Sequence, residues 1–290
     1  MSKMWLLLLA LTSIFTLKAD VVMRLSIPRN YYMQYEPVML TLTLRNSSGQ
    51  ALIFGSEAEF KGYLGIEATD IHARPIKGNN NKVDLRGLIL KPGVDQSIRI
   101  NLGKWLNVTR LGTYRIKLFV SHPMLKNEYE SNMVTFTVSP GRVFWSKTFG
   151  IPKLDTSKMG EPAVQRTYNI KALQDKSEVY LFLFIEDADK IYSIKKIGML
   201  LGHEHPKCEV DMINRLHILL PLSPKVFQYM VFDWNGQREV NKVYRTAQDI
   251  PVLFRNPTNG EVKVVGGETA HEGVDYTEEK LMPEPDSHVW

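Results

Sequence analysis

Hydrophobic and polar residues alternate in many short segments of this chain, and the alternation predicts strands rather than helices. In residues 36–48 (EPVMLTLTLRNSS), every second residue from Val38 to Leu44 is aliphatic, and the residues between them are mostly polar. A period of two places one face of a strand in a core and the other face in water. The following residues 46–49 (NSSG) have the composition of a turn.

The same pattern recurs through residues 21–138 and predicts a β-sandwich. Strand-like segments are separated by turn residues, among them the Pro92–Gly93 pair. About seven or eight short strands with regular turns are typical of an immunoglobulin-like (Ig-like) sandwich. Tyr114 begins a late strand of alternating residues (YRIKLFV), and a tyrosine there is predicted to hydrogen-bond back across a corner of the sandwich.

Three of these segments, EPVMLTLTLRNSS, ILKPGVDQSIRINL and RLGTYRIKLFV, carry a resemblance to known proteins. Residues 21–138 resemble exported bacterial Ig-like β-sandwich domains of uncharacterised function, and they are also similar to the small β-sandwich proteinase inhibitors of bacilli. The resemblance implies a domain that binds, spaces or displays, and the second likeness implies inhibition of extracellular proteases. The paired cysteines of antibody-type domains are absent, since the chain has one cysteine.

The second half of the chain also predicts strands. Residues 178–187 (EVYLFLFIED) form a continuous apolar run, which is expected of a strand buried on both faces. Asn235–Gly236 is a strong signal for a two-residue hairpin turn. Weak self-similarity at intervals of roughly forty residues favours blade-like units. The second half of the chain is too short to hold enough of these units for a closed propeller. The prediction is therefore a second β-sandwich or a blade-like β-meander, in an all-β chain.

The two ends of the chain and the middle differ in composition from these β-rich parts. Lys3, an apolar run and Ala19 predict a signal peptide over residues 1–19. An Ig-like domain is predicted over 20–140, a linker over 141–162 and a second all-β domain over 163–267. Residues 268–290 hold seven acidic residues and one lysine, and they are predicted to be a disordered tail. The mature chain is thus expected to be exported, periplasmic or extracellular, without a transmembrane helix.

The residues with the clearest chemical potential lie in LGHEHPKCEV, residues 201–210. His203, His205 and Cys208 are close in sequence, and His217 follows nine residues later. Imidazole and thiolate are ligands for zinc or copper, so these four residues are the candidate metal site. The alternative is a solvated loop with Cys208 turned inward, because Pro206 interrupts the run and no strong metal motif is present.

Other site chemistry receives less support from the sequence. Cys208 with His217 could form a nucleophile–base pair, but no third group is placed beside them. The carboxylates of Glu186, Asp187 and Asp189 are turn formers first and calcium ligands second. No phosphate-binding or other cofactor motif is found, and no cofactor is predicted. The formal net charge of +5 comes without dense basic clusters, so a nucleic-acid partner is not expected.

These observations predict a non-enzymatic binding or structural module of the cell envelope or extracellular space. Its partner is expected to be an unidentified protein or glycan. The first alternative is an inhibitor of extracellular proteases, with the loop 77–82 (KGNNNK) as the reactive segment. The second alternative is metal binding through the four residues above, or carbohydrate binding through a face built from the tryptophans Trp105, Trp145 and Trp234.

Overall fold

The computed structural model describes residues 21–78, 82–151, 164–202 and 204–277. Within these ranges the chain is all-β, as the alternation predicted, with two short 3₁₀ helices at Ala58–Phe60 and Leu102–Lys104. No helix in the described part of the chain is long and apolar enough to cross a membrane.

The first domain contains eleven strands in chain order. They are β1 (Val21–Ser26), β2 (Tyr31–Met33), β3 (Met39–Asn46), β4 (Leu52–Ile53), β5 (Tyr63–Asp70), β6 (Lys82–Asp84), β7 (Ile89–Leu90), β8 (Asp95–Asn101), β9 (Gly112–Ser121), β10 (Tyr129–Glu130) and β11 (Val134–Ser139). One sheet has the order β1-β3-β8, and the facing sheet has the order β2-β11-β9-β5-β6, with β10 beside β9. Strand β2 runs parallel to β11.

The two sheets of this domain enclose one core to which alternate residues of both sheets contribute. In β3 the leucines at 40, 42 and 44 are fully buried, as the period of two predicted. The hydroxyl of Tyr114 donates a hydrogen bond to the backbone carbonyl of Arg110, at 2.6 Å, and its ring stacks on Phe136. This confirms the predicted tyrosine corner and the Ig-like sandwich architecture.

The second domain contains the remaining eleven strands. They are β12 (Arg142–Ile151), β13 (Val164–Asp175), β14 (Glu178–Glu186), β15 (Ile191–Met199), β16 (Lys207–Val210), β17 (Leu216–Ser223), β18 (Val226–Phe232), β19 (Arg238–Arg245), β20 (Val252–Arg255), β21 (Val262–Val265) and β22 (Glu268–Thr269). Strands β12 to β15 form one antiparallel meander, and β16 to β19 with β22 form a second. The hairpin β20–β21 is a separate two-stranded sheet.

The two meanders pack face to face around a shared core, so the second domain is a sandwich built from meanders. Strand β14 is buried on both faces, as its continuous apolar sequence predicted. Strand β18 is also buried throughout, because the β20–β21 hairpin covers its outer face through Leu253 and Val264. The second sheet is therefore an inner layer between the first meander and the hairpin.

Two predicted boundaries differ from the structure. Residues 142–151, assigned to the linker 141–162, form β12 and pair with β13 from Arg142 to Ile151, except at Phe144. A bulge at Val143/Trp145 breaks the alternation of β12, and this hid the strand in the sequence. Residues 268 and 269 of the predicted tail form β22 on β19, and Ala270 is buried. The predicted signal peptide and residues 278–290 lie outside the described ranges.

The two domains contact each other through the segment that contains β2. The side chain of Met33 is fully buried among Leu173, Tyr180, Phe182 and Phe184 of the first meander. The backbone N–H of Asn30 donates to the carboxylate of Asp175 across the same junction, at 3.1 Å. Apolar packing and a charge-assisted hydrogen bond together hold β2 against the outer face of the first meander.

Candidate functional site

The four residues predicted as a metal site do not converge where the structure describes them. Strand β16 pairs with β17 so that Cys208 lies opposite Ile218 and Glu209 lies opposite His217. Directly opposed residues share a face, and neighbours along a strand point to opposite faces. Cys208 and His217 therefore lie on opposite sides of one sheet. They cannot bind one metal ion or form a nucleophile–base pair, and both predictions are corrected on this point.

Cys208 faces the core between the two meanders. Burial raises the pKa of its thiol to about 12, so it is protonated and poorly nucleophilic at neutral pH. His205 is exposed, and its ring lies 4.9 Å from that of Phe144. His203 lies outside the described residues. In the described part of the chain, no three His, Cys, Asp or Glu side chains are placed to hold a metal ion.

His217 takes part in a buried polar network. Its Nε2 lies 3.1 Å from Oδ2 of Asp211, and its Nδ1 lies 2.7 Å from the hydroxyl of Tyr229. The Asp211 carboxylate also accepts from the backbone N–H groups of Ile213 and Arg215, and from the Arg215 guanidinium. Four donated hydrogen bonds stabilise the charged carboxylate. All three members of the His217 network are nearly inaccessible to solvent.

The ionisation states follow from these contacts. Burial would raise the pKa of Asp211, but the hydrogen bonds from Arg215 and His217 outweigh it and hold the pKa below its usual value. Burial lowers the pKa of His217, so the imidazole is neutral at neutral pH. Because the ionised carboxylate can only accept, Nε2 carries the proton, and Nδ1 accepts from Tyr229. The network fixes one tautomer of a buried imidazole.

A sequence signal for this network existed in the turn before β17. Asp211 and Arg215 repeat the spacing of Asp70 and Arg74 at the end of β5. In both turns the aspartate accepts from the backbone and the guanidinium of the arginine four residues later. The residue before each arginine has a positive φ. The D-x-x-x-R spacing therefore marks a charged turn, and sequence reasoning missed it.

The acidic residues at the end of β14 bind different partners. Glu186 accepts from Asn169 at 2.7 Å and pairs with Lys171 at 3.0 Å. Asp187 accepts from the backbone of the turn and from the hydroxyl of Tyr192, at 2.5 Å. That hydroxyl, followed by the backbone donors, lowers the pKa of Asp187. These contacts support the turn-forming role over calcium binding.

The predicted tryptophan face is also not present. Trp105 packs against the core of the first domain, whereas Trp145 and Trp234 pack against the core of the second. Each indole is partly buried in its own core, so the three do not form a common surface for sugar rings. This corrects the carbohydrate prediction based on them.

The structure shows a different candidate site, a cleft between the two domains. Its volume is about 640 Å3, and it lies between Tyr35 of the first domain and residues 186–194 of the second. Ile191 and Ile194 supply an apolar wall that packs on Phe182 and Phe184 beneath. The β14–β15 turn supplies a polar rim. An apolar wall with a polar rim is the usual composition of a ligand-binding surface.

Tyr35 is presented to this cleft by a strained turn. The N–H of Glu36 donates to the carbonyl of Met33, at 2.9 Å, which closes a β-turn with Tyr35 at its third position. The φ of Tyr35 is +68°, and the residue is 46% exposed. This region favours glycine or asparagine at that position, and an aromatic residue there is an outlier. Ala73, Lys176 and Asn214 also have positive φ, but Tyr35 is the only aromatic residue among them in the described chain.

Hydrogen bonds and a cation–π contact hold the turn that carries Tyr35 on several sides. Glu36 accepts from the Arg29 guanidinium and from the backbone of Met33. The Arg29 guanidinium lies over the Tyr180 ring of the second domain, 4.8 Å from its centroid. The amide of Gln34 donates to the carbonyl of Thr109, at 2.9 Å. The surrounding contacts thus hold Tyr35 in its strained conformation.

The opposite wall is fixed by Arg166. Its guanidinium lies 3.6 Å from the centroid of the Tyr192 ring and donates to the carbonyl of Trp234 and the amide oxygen of Asn235. Tyr192 in turn donates to Asp187. This chain of contacts ties the β14–β15 turn to the turn between β18 and β19. Both walls of the cleft are therefore pre-organised by side-chain contacts.

No protein-family model matches this chain, and a comparison with curated proteins finds no match.

Proposed function

We propose that this protein is an exported, non-enzymatic binding module of the cell envelope or extracellular space, and that it holds a protein ligand in the interdomain cleft. The observation that carries the proposal is Tyr35, an exposed aromatic side chain held at positive φ opposite Ile191 and Ile194. Strain of this kind persists where the surrounding structure enforces it, and it concentrates at ligand-binding positions.

The composition of the cleft favours a protein ligand over a small molecule. The cleft is wide and open, so a small molecule would stay largely in water, whereas a side chain of a larger partner can be covered. Tyrosine is enriched at the centres of protein interfaces because it buries a large area with few rotatable bonds. The rim offers Lys190 and the Asp189 carboxylate for hydrogen bonds.

The placement of the two residues with catalytic potential, Cys208 and His217, favours a binding role over catalysis. The Cys208 thiol is buried and protonated, and the His217 network is closed to solvent. Neither lines the cleft. The inhibitor alternative depends on the loop 77–82, of which residues 79–81 lie outside the described ranges.

The test is affinity capture with residues 20–290 as bait, using three forms of the protein. These are the wild type, a Tyr35→Ala/Ile194→Ser double variant, and a Val274→Ala control at a residue that is 84% exposed and lies outside the cleft. Proteins and glycans retained from an envelope extract of the source cells are identified by mass spectrometry. We expect a protein that the wild type and control retain and the double variant loses by at least about ten-fold.

Equal retention by all three folded forms would contradict the cleft as the binding site. Retention of glycans in place of proteins would contradict the class of ligand. Circular dichroism of each form separates loss of binding from loss of fold.

A further inference from the structure

A second surface, at the edge of the first meander, has the features of a peptide-binding strand. Strand β12 has ten residues, pairs with β13 on one side, and has no described strand on the other. In an antiparallel pair about half of the backbone N–H and C=O groups of an edge strand point away from its partner. Most residues of β12 are exposed, so these groups are accessible.

The other edge strands in the described ranges are shorter than β12. The edge of β1 is covered by Asn132, whose amide bonds both the N–H and the carbonyl of Leu25. Strand β15, the other edge of the same sheet, has nine residues, and its inner face packs against the second meander at Gly198, where a Cβ would lie 2.3 Å from a leucine methyl group. The side-chain amide of Asn214 donates a hydrogen bond to the carbonyl of Gly150. This contact covers only the C-terminal end of β12.

The N-terminal end of β12 adds a side-chain pocket to this edge. The bulge at Val143/Trp145 leaves Phe144 without an opposing residue on β13. The Phe144 ring meets the ring of His205, and these two residues with Arg142 and Val143 line a depression of about 500 Å3. Bulges re-aim side chains at sites where strand pairing changes. The depression can accept one apolar or aromatic side chain of a strand laid along β12.

The charge of β12 indicates the complementary charge of its ligand. Arg142 and Lys147 are both exposed, and β12 carries no acidic residue. Ser146 lies between Arg142 and Lys147, and Thr148 follows Lys147. Opposite charges across neighbouring strands stabilise a pair, and like charges destabilise it. A strand that binds here is therefore favoured when it carries carboxylates.

We propose that β12 binds an extended, acidic segment of a partner protein as an additional antiparallel or parallel strand, with one apolar or aromatic side chain of that segment in the depression beside Phe144 and His205. Backbone hydrogen bonds to residues 142–149 supply the affinity, and the depression with Arg142 and Lys147 supplies the selectivity. This surface is separate from the interdomain cleft, and the proposal does not depend on the function of the cleft.

The test uses a synthetic strand peptide of about nine residues, in which valine and threonine alternate with glutamate around one central phenylalanine. A second peptide replaces each glutamate with lysine. A third and a fourth carry N-methyl groups on alternate amides, one on each edge of the peptide. Binding of each to the full chain is measured by fluorescence anisotropy at low salt.

We expect the acidic peptide to bind at least about ten-fold more tightly than the basic one. Methylation of one edge should abolish binding, and methylation of the other edge should leave the Kd within about two-fold, because a bound strand pairs through one edge only. Lys147→Glu should weaken binding of the acidic peptide by about five-fold or more, while Lys195→Glu, on the far strand of the same sheet, should change it by less than about two-fold. Phe144→Ala should weaken binding of the acidic peptide, because it removes a wall of the depression that receives the central phenylalanine.

Three results would overturn the proposal. They are absence of binding by the acidic peptide at millimolar concentration, equal binding of the acidic and basic peptides, and insensitivity to N-methylation of either edge. The last result would indicate side-chain contacts without strand pairing.

Discussion

Nε2 of His217, on β17, lies 3.1 Å from the carboxylate of Asp211 in the preceding turn, and both side chains are buried. The other ring nitrogen accepts from Tyr229, so the imidazole joins two polar groups that have little access to water. Burial raises the pKa of Tyr229 to about 12, which keeps its hydroxyl available as a donor. The sequence predicted His217 as a metal ligand, but in the structure both of its ring nitrogens hydrogen-bond to protein side chains.

Replacement of His217 should therefore destabilise the fold. His217→Phe leaves Asp211 without one of its donors and Tyr229 without its acceptor, while it keeps a ring of similar size. Each buried group left unpaired costs about 1–3 kcal/mol, so we expect the free energy of unfolding to fall by about 2–4 kcal/mol. Urea denaturation measures this change.

The matched control is Glu239→Gln, which removes the exposed partner of Arg215 in the same network. An exposed ion pair contributes little, so the control should lose less than about 0.5 kcal/mol. Equal losses in the two variants would show that the buried network is not the source of the stability.

The pH dependence of stability should also report on His217. Its folded-state pKa is below the unfolded value of 6.5, so the unfolded chain binds a proton first as the pH falls. The contribution of His217 is complete above pH 6.5 and declines as the pH falls from 6.5 toward its folded pKa. Stability measured between pH 8 and about 5 should fall more steeply in the wild type than in His217→Phe. Parallel profiles would contradict the assigned ionisation.

Much of the fold could be predicted from the sequence, because the spacing of hydrophobic residues along a segment shows which side chains are buried. Strand β3, the buried β14 and the Tyr114 corner follow from local patterns, and the structure confirms them. Strand β12 could not be predicted, because an exposed edge strand with a bulge has no sustained alternation. The interdomain cleft also left no local pattern, since Tyr35 and Ile194 are distant in sequence and meet only when β2 docks on the first meander.

The strain at Tyr35 predicts opposite effects on stability and binding. Tyr35→Gly relieves a positive φ that costs an L-residue about 1–2 kcal/mol. The greater freedom of glycine in the unfolded chain offsets part of this, so we expect a gain of up to about 1 kcal/mol. Tyr35→Ala keeps the strain and loses only the exposed ring, so its stability should be close to that of the wild type.

Both variants should lose ligand retention in the capture experiment, because both lack the aromatic ring. Thermal denaturation of the three proteins in parallel measures the stability effect. Destabilisation by glycine would show that the Tyr35 ring, despite its exposure, stabilises the turn.

Cys208 should be unreactive in the folded protein. Its thiol faces the core and has a pKa raised to about 12, so the thiolate is scarce at pH 8. An aromatic disulfide reagent at pH 8 should label the native protein at least about a hundred-fold more slowly than the protein in denaturant. Because this is the only cysteine of the chain, the signal has one source. Rapid labelling of the native protein would contradict its placement in the core.

The fold partly buries the charged side chain of Lys196, and this lowers the stability of the folded protein. Its ammonium group lies 4.0 Å from the centroid of the Tyr180 ring, close to the Arg29 guanidinium at the domain junction. Burial, followed by the charge of Arg29, lowers the pKa of Lys196 from 10.5 to about 8, although Glu36 and Glu178 partly oppose this. At neutral pH the charged form is therefore less stable in the folded chain than in the unfolded chain.

Lys196→Met keeps an unbranched side chain and removes this charge, so it should raise the free energy of unfolding at pH 7 by about 1–2 kcal/mol. The folded chain gives up the Lys196 proton at lower pH than the unfolded chain, so the penalty is complete below pH 8 and declines between pH 8 and 10.5. The advantage of the variant should shrink across that window, as measured by urea denaturation at a series of pH values. Lys195→Met, at the exposed neighbouring position, serves as the control and should change stability by less than about 0.5 kcal/mol at each pH. If Lys196→Met instead destabilised the protein at pH 7, contact of the ammonium group with the Tyr180 ring would outweigh the cost of burying the charge at the junction.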